Sequence, residues 1–370
     1  DWEVMTGFGG QGAYYNPDFI SPTGKVMEAG YSTDIITDKA IRWLTTQRDP
    51  ARPFLLMVQY KAPHVKRVPA LRFLDKYEGQ NIPEPATLFD DYSNRQPYAG
   101  KAWMKIRKIS NYFPSDDFDQ AMGSDPVYQR MSATQQRKFF DSYKTRNAEY
   151  ERLKESGELN RKKALLRYAY QRFIKDYLRC VDGIDENVGR LLDFLDEHRL
   201  SQNTSVVYAS DQGYFLGDHG WAEKRWMYEE ALAMPLIMRW PERIAPMTRV
   251  DAKVQNIDYA PTLLDAAGIK VPEEMQGRSL LPILDGAVPA DWRTSIYYHY
   301  YDHGAHNVPR HDGVRSSRYK LIHFYTDDVY ELFDLREDPH ELNSVFSNPA
   351  YADVQTEMLT ELKRLRSLYN

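Results

Sequence analysis

The order of apolar and polar positions divides the chain into stretches of different period. Phe54-Leu-Leu-Met-Val-Gln-Tyr60 is a continuous apolar run of strand length, which predicts a strand buried on both faces and stopped at Ala62-Pro63-His64. Val181, Ile184, Val188, Leu191, Leu192 and Leu195 fall on one helical stripe, which predicts a helix over 167–199. Thr204-Ser-Val-Val-Tyr-Ala-Ser210 predicts a second strand, ending at Asp211-Gln212-Gly213, and Pro235–Trp240 a third. Ser32-Thr33-Asp34 predicts a capped helix through about Gln47, and residues 257–267 a helix that ends at Gly268. Residues 65–165 carry weak helical periodicity near 130–155 and otherwise read as loops and short helices. Residues 1–30 read as a turn-rich loop. Its Gly7-x-Gly9 resembles a phosphate loop but follows no strand.

The texture changes after Gln276-Gly-Arg-Ser-Leu280. Segments 295–301, 313–315, 319–325 and 330–335 are rich in Tyr, Ile and Val and predict short strands joined by turns. A last helix is expected over about 350–369. The fold class is therefore α/β. Residues 1–280 are expected to hold a mostly parallel sheet flanked by helices, and residues 281–370 a small antiparallel sheet with a terminal helix. A chain of 370 residues has room for both.

Composition removes several function classes. Lys and Arg number 48 against 53 Asp and Glu, a net charge of −5, which gives no reason to expect a nucleic-acid partner. The single cysteine, Cys180, excludes an intramolecular disulfide framework and a Cys-rich zinc site. No apolar run approaches the ~20 residues of a membrane span. Oligomeric state is not readable.

Ligands of open α/β sheets collect beyond the carboxyl ends of strands. His64 follows one such end, although a histidine there is more often a surface residue. Asp211-Gln212 follows another. Two hard oxygen donors suit Ca²⁺ or Mg²⁺, and an Asx-type turn is the equal alternative. The next segment, Gly217-Asp218-His219-Gly220-Trp221-Ala222-Glu223-Lys224-Arg225, packs acid, imidazole and two cations between aromatic residues. A lysine near a divalent cation could hold a multiply oxygenated anion between two positive centres.

Several stretches together resemble the type I, formylglycine-dependent sulfatases of the alkaline-phosphatase-like superfamily. They are 177–193, Ala209–Lys224, Tyr228-Glu-Glu, Met234–Ile237, Asp258-Tyr-Ala-Pro-Thr-Leu-Leu264, Gln276–Leu280, Gly313–Lys320 and Glu331–Asn343. The resemblance implies Asp211 and Gln212 as two ligands of Ca²⁺, or Mg²⁺. It implies Lys224 as a contact of the sulfate ester and His64 as a contact of the sulfate or bridging oxygen that helps protonate the leaving group. Gln11–Asp18 and 306–315 are similar to carbohydrate sulfatases of the N-acetylglucosamine-6-sulfatase and mucin-desulfating type. By that similarity Asp218, His219, Arg310 and His311 contact a sulfated saccharide. His303, His306 and His311 could instead satisfy hydrogen bonds in a Tyr-rich sheet.

No Cys/Ser-x-Pro/Ala-x-Arg motif, the source of formylglycine, occurs in the chain. Cys180 is followed by Val-Asp-Gly-Ile and sits beside the apolar stripe, where packing is the better account. The resemblance thus places the nucleophile on a preceding segment, makes these residues the last two-thirds of a longer protein, and implies that they are inactive alone. It also implies a periplasmic or secreted enzyme. Two rivals are a phosphodiesterase or phosphonate hydrolase on the same scaffold, and a truncated sulfatase that only binds sulfated glycan.

Overall fold

A computed structural model describes residues 3–7, 11–106, 126–302 and 306–369; Gly9 and His303, singled out above, lie outside them. The chain packs as two compact units, Asp1–Glu84 with Ile106–Ser201, and Pro85–Lys105 with Gln202–Asn370.

In the first unit, β1 (Val4–Thr6), β2 (Asp18–Ser21) and β3 (Gly24–Met27) form an antiparallel sheet in the order β1-β2-β3. Helix α1 (Ser32–Thr46) begins where expected, but its N-cap is Tyr31, without a side-chain cap. Asp34 in its first turn instead receives Arg72, at 2.7 and 2.8 Å, and the Asn187 amide at 2.7 Å. Helix α2 (Ala133–Glu155) starts in a capping box made by Ser132 and Gln135. Helix α3 (Lys162–Glu197) contains the expected stripe and packs on α1. The core between these elements is aromatic: Tyr14, Tyr15, Tyr31, Phe139 and Tyr143 close around Cys180 and Ile184.

The run 54–60 forms no ladder. Its side chains alternate, with Phe54, Leu56, Val58 and Tyr60 half-buried and Leu55 and Met57 about two-thirds exposed. A strand buried on both faces needs neighbours to satisfy its backbone groups, and no described segment pairs with this one.

In the second unit, β4 (Val206–Ala209) pairs with β7 (Leu236–Arg239), Val206 opposite Arg239. Between them lies the tight hairpin of β5 (Phe215–Leu216) and β6 (Ala222–Glu223). The β4–β7 pair is antiparallel. Apart from one parallel bridge, Asn94 with Asn343, so is every pairing among the described residues. The expected parallel ladders are therefore not found there. β4 has β7 as its only described partner, and the run 54–60, the other expected member, has none.

Helix α4 (Tyr259–Ala266) ends at Gly268, whose φ of +70° suits glycine. Asp258 at its start is fully buried. It accepts the backbone N–H of Gln255 and of Arg278, both at 2.8 Å, and pairs with Arg293. Gly277 touches the Ile257 carbonyl so closely that a Cβ would lie 1.9 Å from it. Both motifs thus hold the chain at this crossing.

The C-terminal strands are β8 (Ile296–Tyr300), β9 (His311–Arg315), β10 (Tyr319–Phe324) and β11 (Val329–Asp334), antiparallel in the order β11-β10-β9-β8. Alternation sends successive residues to opposite faces. Val314, Leu321 and Leu332 meet Met358, Leu362 and Leu365 of α5 (Ala352–Tyr369). Ile322, Phe324 and Phe333 face Phe215, Trp221, Trp226, Met227 and Tyr228. The small sheet is thus covered on both sides, and one cover is the hairpin region that carries Lys224. No helix of the described residues is long and apolar enough to cross a membrane.

Candidate active site

Lys224 follows β6 directly. Its side chain is about nine-tenths buried, with Nζ 4.0 Å from Glu223 Oε2 and 5.9 Å from the centre of the Tyr214 ring. Residues on both sides, Glu223 and Arg225, have φ of +97° and +90°, a region that L-residues avoid. The conformation is held from outside: Tyr214 Oη donates to Glu223 Oε1 (3.2 Å), Arg225 Nη1 donates to Glu223 Oε2 (2.8 Å), and Tyr298 Oη of β8 donates to the Arg225 carbonyl (3.0 Å). Trp221, Trp226, Met227 and Tyr228 pack beneath with no exposed surface. An ammonium in this apolar setting acts at low effective dielectric and is worth more to an anion than one in water.

Asp211 and Gln212 form the turn after β4, as expected. Gly213 fixes the turn against the next element. Its N–H donates to the Ala231 carbonyl at 2.9 Å, and a Cβ would lie 2.2 Å from the Glu230 carbonyl oxygen. Asp211 is exposed and Gln212 half-buried, so their oxygens are accessible. Oxygen donors fit a hard cation in kind but not in number. Ca²⁺ takes six to eight oxygens, and no group of three or more His, Cys, Asp or Glu among the described residues could hold a metal. Asp211 and Gln212 alone do not make the expected calcium site.

Two of the four expected saccharide contacts are closed off. His219 has no exposed surface and lies among Phe215, Trp221 and Tyr228, with Nδ1 2.7 Å from Asp90 Oδ2. His311 is equally buried, its ring against Trp226, Tyr298, Tyr300 and Phe324 and its Nδ1 2.8 Å from the Pro309 carbonyl. Both Nδ1 atoms find partners within the protein, whereas among the described residues neither Nε2 has one within hydrogen-bond distance. Burial pushes the His311 pKa down to about 4, so the ring is neutral. Asp218 and Arg310 remain half-exposed and can reach a ligand. The Asp218 carboxyl is pushed above its usual range by burial and by the nearby Glu230. His306 is half-exposed and pairs with Asp302 at 2.7 Å.

His64 belongs to the first unit. Its Nδ1 lies 2.9 Å from the Val65 carbonyl, which can only accept, so the ring carries a proton at Nδ1. Tyr14 Oη donates to the His64 carbonyl at 2.5 Å. Cys180, fully buried, has its thiol pKa pushed up by burial, which fits packing and not nucleophilic chemistry.

A family model for sulfatases matches residues 1–269, and a model for the C-terminal part of N-sulphoglucosamine sulphohydrolase matches 217–368. The chain is 43% identical to an N-acetylglucosamine-6-O-sulfatase of Bacteroides thetaiotaomicron, over 100% of its own length and 67% of that protein. The chain belongs to the sulfatase family. A solved structure of a protein in complex with its substrate, D-glucosamine-2-N,6-O-disulfate, superposes on this sulfatase with a TM-score of 0.94 at 42% identity, covering 100% of this chain and 76% of that one. A phosphonate monoester hydrolase of Silicibacter pomeroyi, at 22% identity and a TM-score of 0.63, covers 91% and 60% and shares the fold. The chain spans 60% and 55% of the length of two further curated relatives, at 24% identity each. These neighbours show the alkaline-phosphatase-like fold.

Sequence reasoning missed the groups around His219. Asp90, Arg95 and Glu230 are brought to it from segments far apart in sequence. Glu230 had a signal in the Tyr228-Glu-Glu stretch. Asp90 lay in a region without periodicity and had none.

Proposed function

We propose that this sulfatase hydrolyses the 6-O-sulfate ester of a glucosamine residue in a sulfated saccharide, working in the periplasm or outside the cell. The observation that carries the reading is the 43% identity along the entire chain to an N-acetylglucosamine-6-O-sulfatase. The substrate named for the second relative, a glucosamine carrying 2-N and 6-O sulfates, supports the same class.

Lys224 would hold a non-bridging sulfate oxygen, and its buried ammonium would offset charge that grows on the anion as the S–O bond breaks. His64, with Nδ1 fixed on the Val65 carbonyl, would deliver a proton from Nε2 to the departing sugar oxygen. Asp218 and Arg310 would bind the sugar. A formylglycine, which this family uses as nucleophile, would attack sulfur, and Cys180 is unsuited to supply it. In this reading the nucleophile would come from outside these 370 residues, and these residues alone would be inactive. The family's divalent cation would require donors beyond Asp211 and Gln212, and no step is assigned to it. Residues 281–370 would form a C-terminal subdomain, a reading supported by the sheet of β8 to β11 and the helix α5 on one of its faces, while its other face packs on the hairpin region.

The test is parallel turnover of N-acetylglucosamine-6-sulfate and N-acetylglucosamine-6-phosphate by the enzyme as its host produces it. Sulfate release at least 100-fold faster supports the reading. Preference for the phosphate ester would replace it with the phosphohydrolase alternative.

A further inference from the structure

His219 is a fully buried histidine with carboxylates on two sides. Nδ1 lies 2.7 Å from Asp90 Oδ2, and Nε2 lies 3.7 Å from Glu230 Oε1. Its backbone is held as firmly. The His219 N–H donates to Thr87 Oγ1 at 3.0 Å, and Tyr92 Oη donates to the His219 carbonyl at 2.6 Å. These contacts fix a φ of +55°, which histidine adopts only when held. The residue thus sits where three pieces meet: the 87–95 segment, the turn 217–223, and the short helix Glu229–Leu232. The backbone of that helix also backs Gly213, next to Asp211 and Gln212.

We infer that His219 is a positioning residue: as an imidazolium bridging Asp90 and Glu230, it holds the turn that presents Asp218 and Lys224. The inference rests on the sulfatase reading of that turn. A neutral ring could donate to only one of the two carboxylates, leaving the other buried beside a bare nitrogen. The charged groups facing the ring are consistent with this state. Asp90 is itself paired with Arg95, whose Nη1 lies 3.3 Å from His219 Nδ1 and opposes protonation. Glu230 and Asp218 favour it, while Tyr228 contributes a ring face and Tyr92 a hydroxyl on the backbone carbonyl. Burial pulls the His219 pKa down, the two carboxylates push it up, and the net shift is upward.

The sign follows directly. With the folded pKa raised, the bridge is complete below the ordinary histidine value and is lost as pH rises through the folded value. Glu230→Gln removes one of the two supports, so the ring should lose its proton at lower pH.

The test has two readouts on the intact enzyme: histidine NMR titration, and the pH profile of kcat on N-acetylglucosamine-6-sulfate. In the wild type, the His219 ring should remain cationic at pH 7. In Glu230→Gln, its titration should move down by at least one pH unit. At pH 8 kcat should fall at least tenfold, with KM changed less than twofold and a smaller loss at pH 5.5. A wild-type His219 that is neutral at pH 6.5 would overturn the inference, whether or not the variant folds. So would a folded Glu230→Gln with the wild-type titration and kcat profile. If Lys224→Ala kept full activity, the reading of the site would fail, while the His219 titration would still stand or fall by itself.

Discussion

At His311 the interior holds a titratable ring by keeping it uncharged. Its folded pKa of about 4 lies below the ordinary histidine value, so the unfolded chain binds a proton first as pH falls. The ring's contribution is therefore present above about pH 6.5 and is lost between there and pH 4, a change of at most about 3 kcal/mol. Replacing it with Phe, which fits the stack of Trp226, Tyr298 and Phe324, should remove this part of the acid sensitivity. Urea unfolding of wild type and His311→Phe at pH 7 and pH 4.5 should show the variant losing less stability. Equal losses would count against a neutral His311. The histidine was visible in the sequence as candidate chemistry, with a hydrogen-bonded place in a Tyr-rich sheet as the open alternative, but its complete burial was not. A segment of Val-Pro-Arg-His-Asp gives no sign that four aromatic rings will close around one residue. Lys224 is the opposite case, because a lysine surrounded in sequence by Tyr214, Trp221 and Trp226 announces an apolar setting.

Among the elements, those of the C-terminal sheet were legible. Period-2 alternation of Tyr, Ile and Val between turns defines a covered antiparallel sheet, and β8, β10 and β11 fall within a residue or two of their expected places. β9 begins two residues early, at His311. The sheet of β1 to β3 was missed, because strands of three or four residues carry too little periodicity. The run 54–60 misled in the other direction, since apolarity alone does not provide a ladder partner. Helix α5 is tied to its sheet by a polar contact as well as by leucines. Arg366 meets buried Asp312 through two bonds of 2.6 Å, and the pair, with the adjoining His323, holds the Asp312 carboxyl well below the usual range. Removing the partly exposed Arg366 would strand the carboxylate. Arg366→Met should lower the unfolding free energy by about 1–3 kcal/mol at pH 7, and adding Asp312→Asn should recover part of it. Denaturant titration of the single and double variants checks this. Additive losses would mean that the two residues act separately.

For the whole molecule, function is read from the order of its motifs, and the structure sorts those motifs by purpose. Asp258 and Gly277 hold a chain crossing, and Gly313 makes room for Met227, whose sulfur a Cβ would approach to 2.4 Å. Lys320 is buried between Glu229 and Glu341, at 2.8 and 2.7 Å, with Arg315 on the outer oxygen of Glu229 at 2.9 Å. These residues build the platform behind the hairpin. The proposed ester contact, Lys224, lies on the hairpin that this platform backs. Its aromatic neighbours in sequence point to its nine-tenths burial; what they could not convey is the positive φ of the residues on both sides. The most direct measurement is sulfate release from N-acetylglucosamine-6-sulfate by the natural enzyme and its Lys224→Ala variant. Loss of a buried charged contact to the departing sulfate should lower kcat/KM by at least 100-fold, with the fold intact by circular dichroism. A folded variant within threefold of wild type would contradict the assignment of this site.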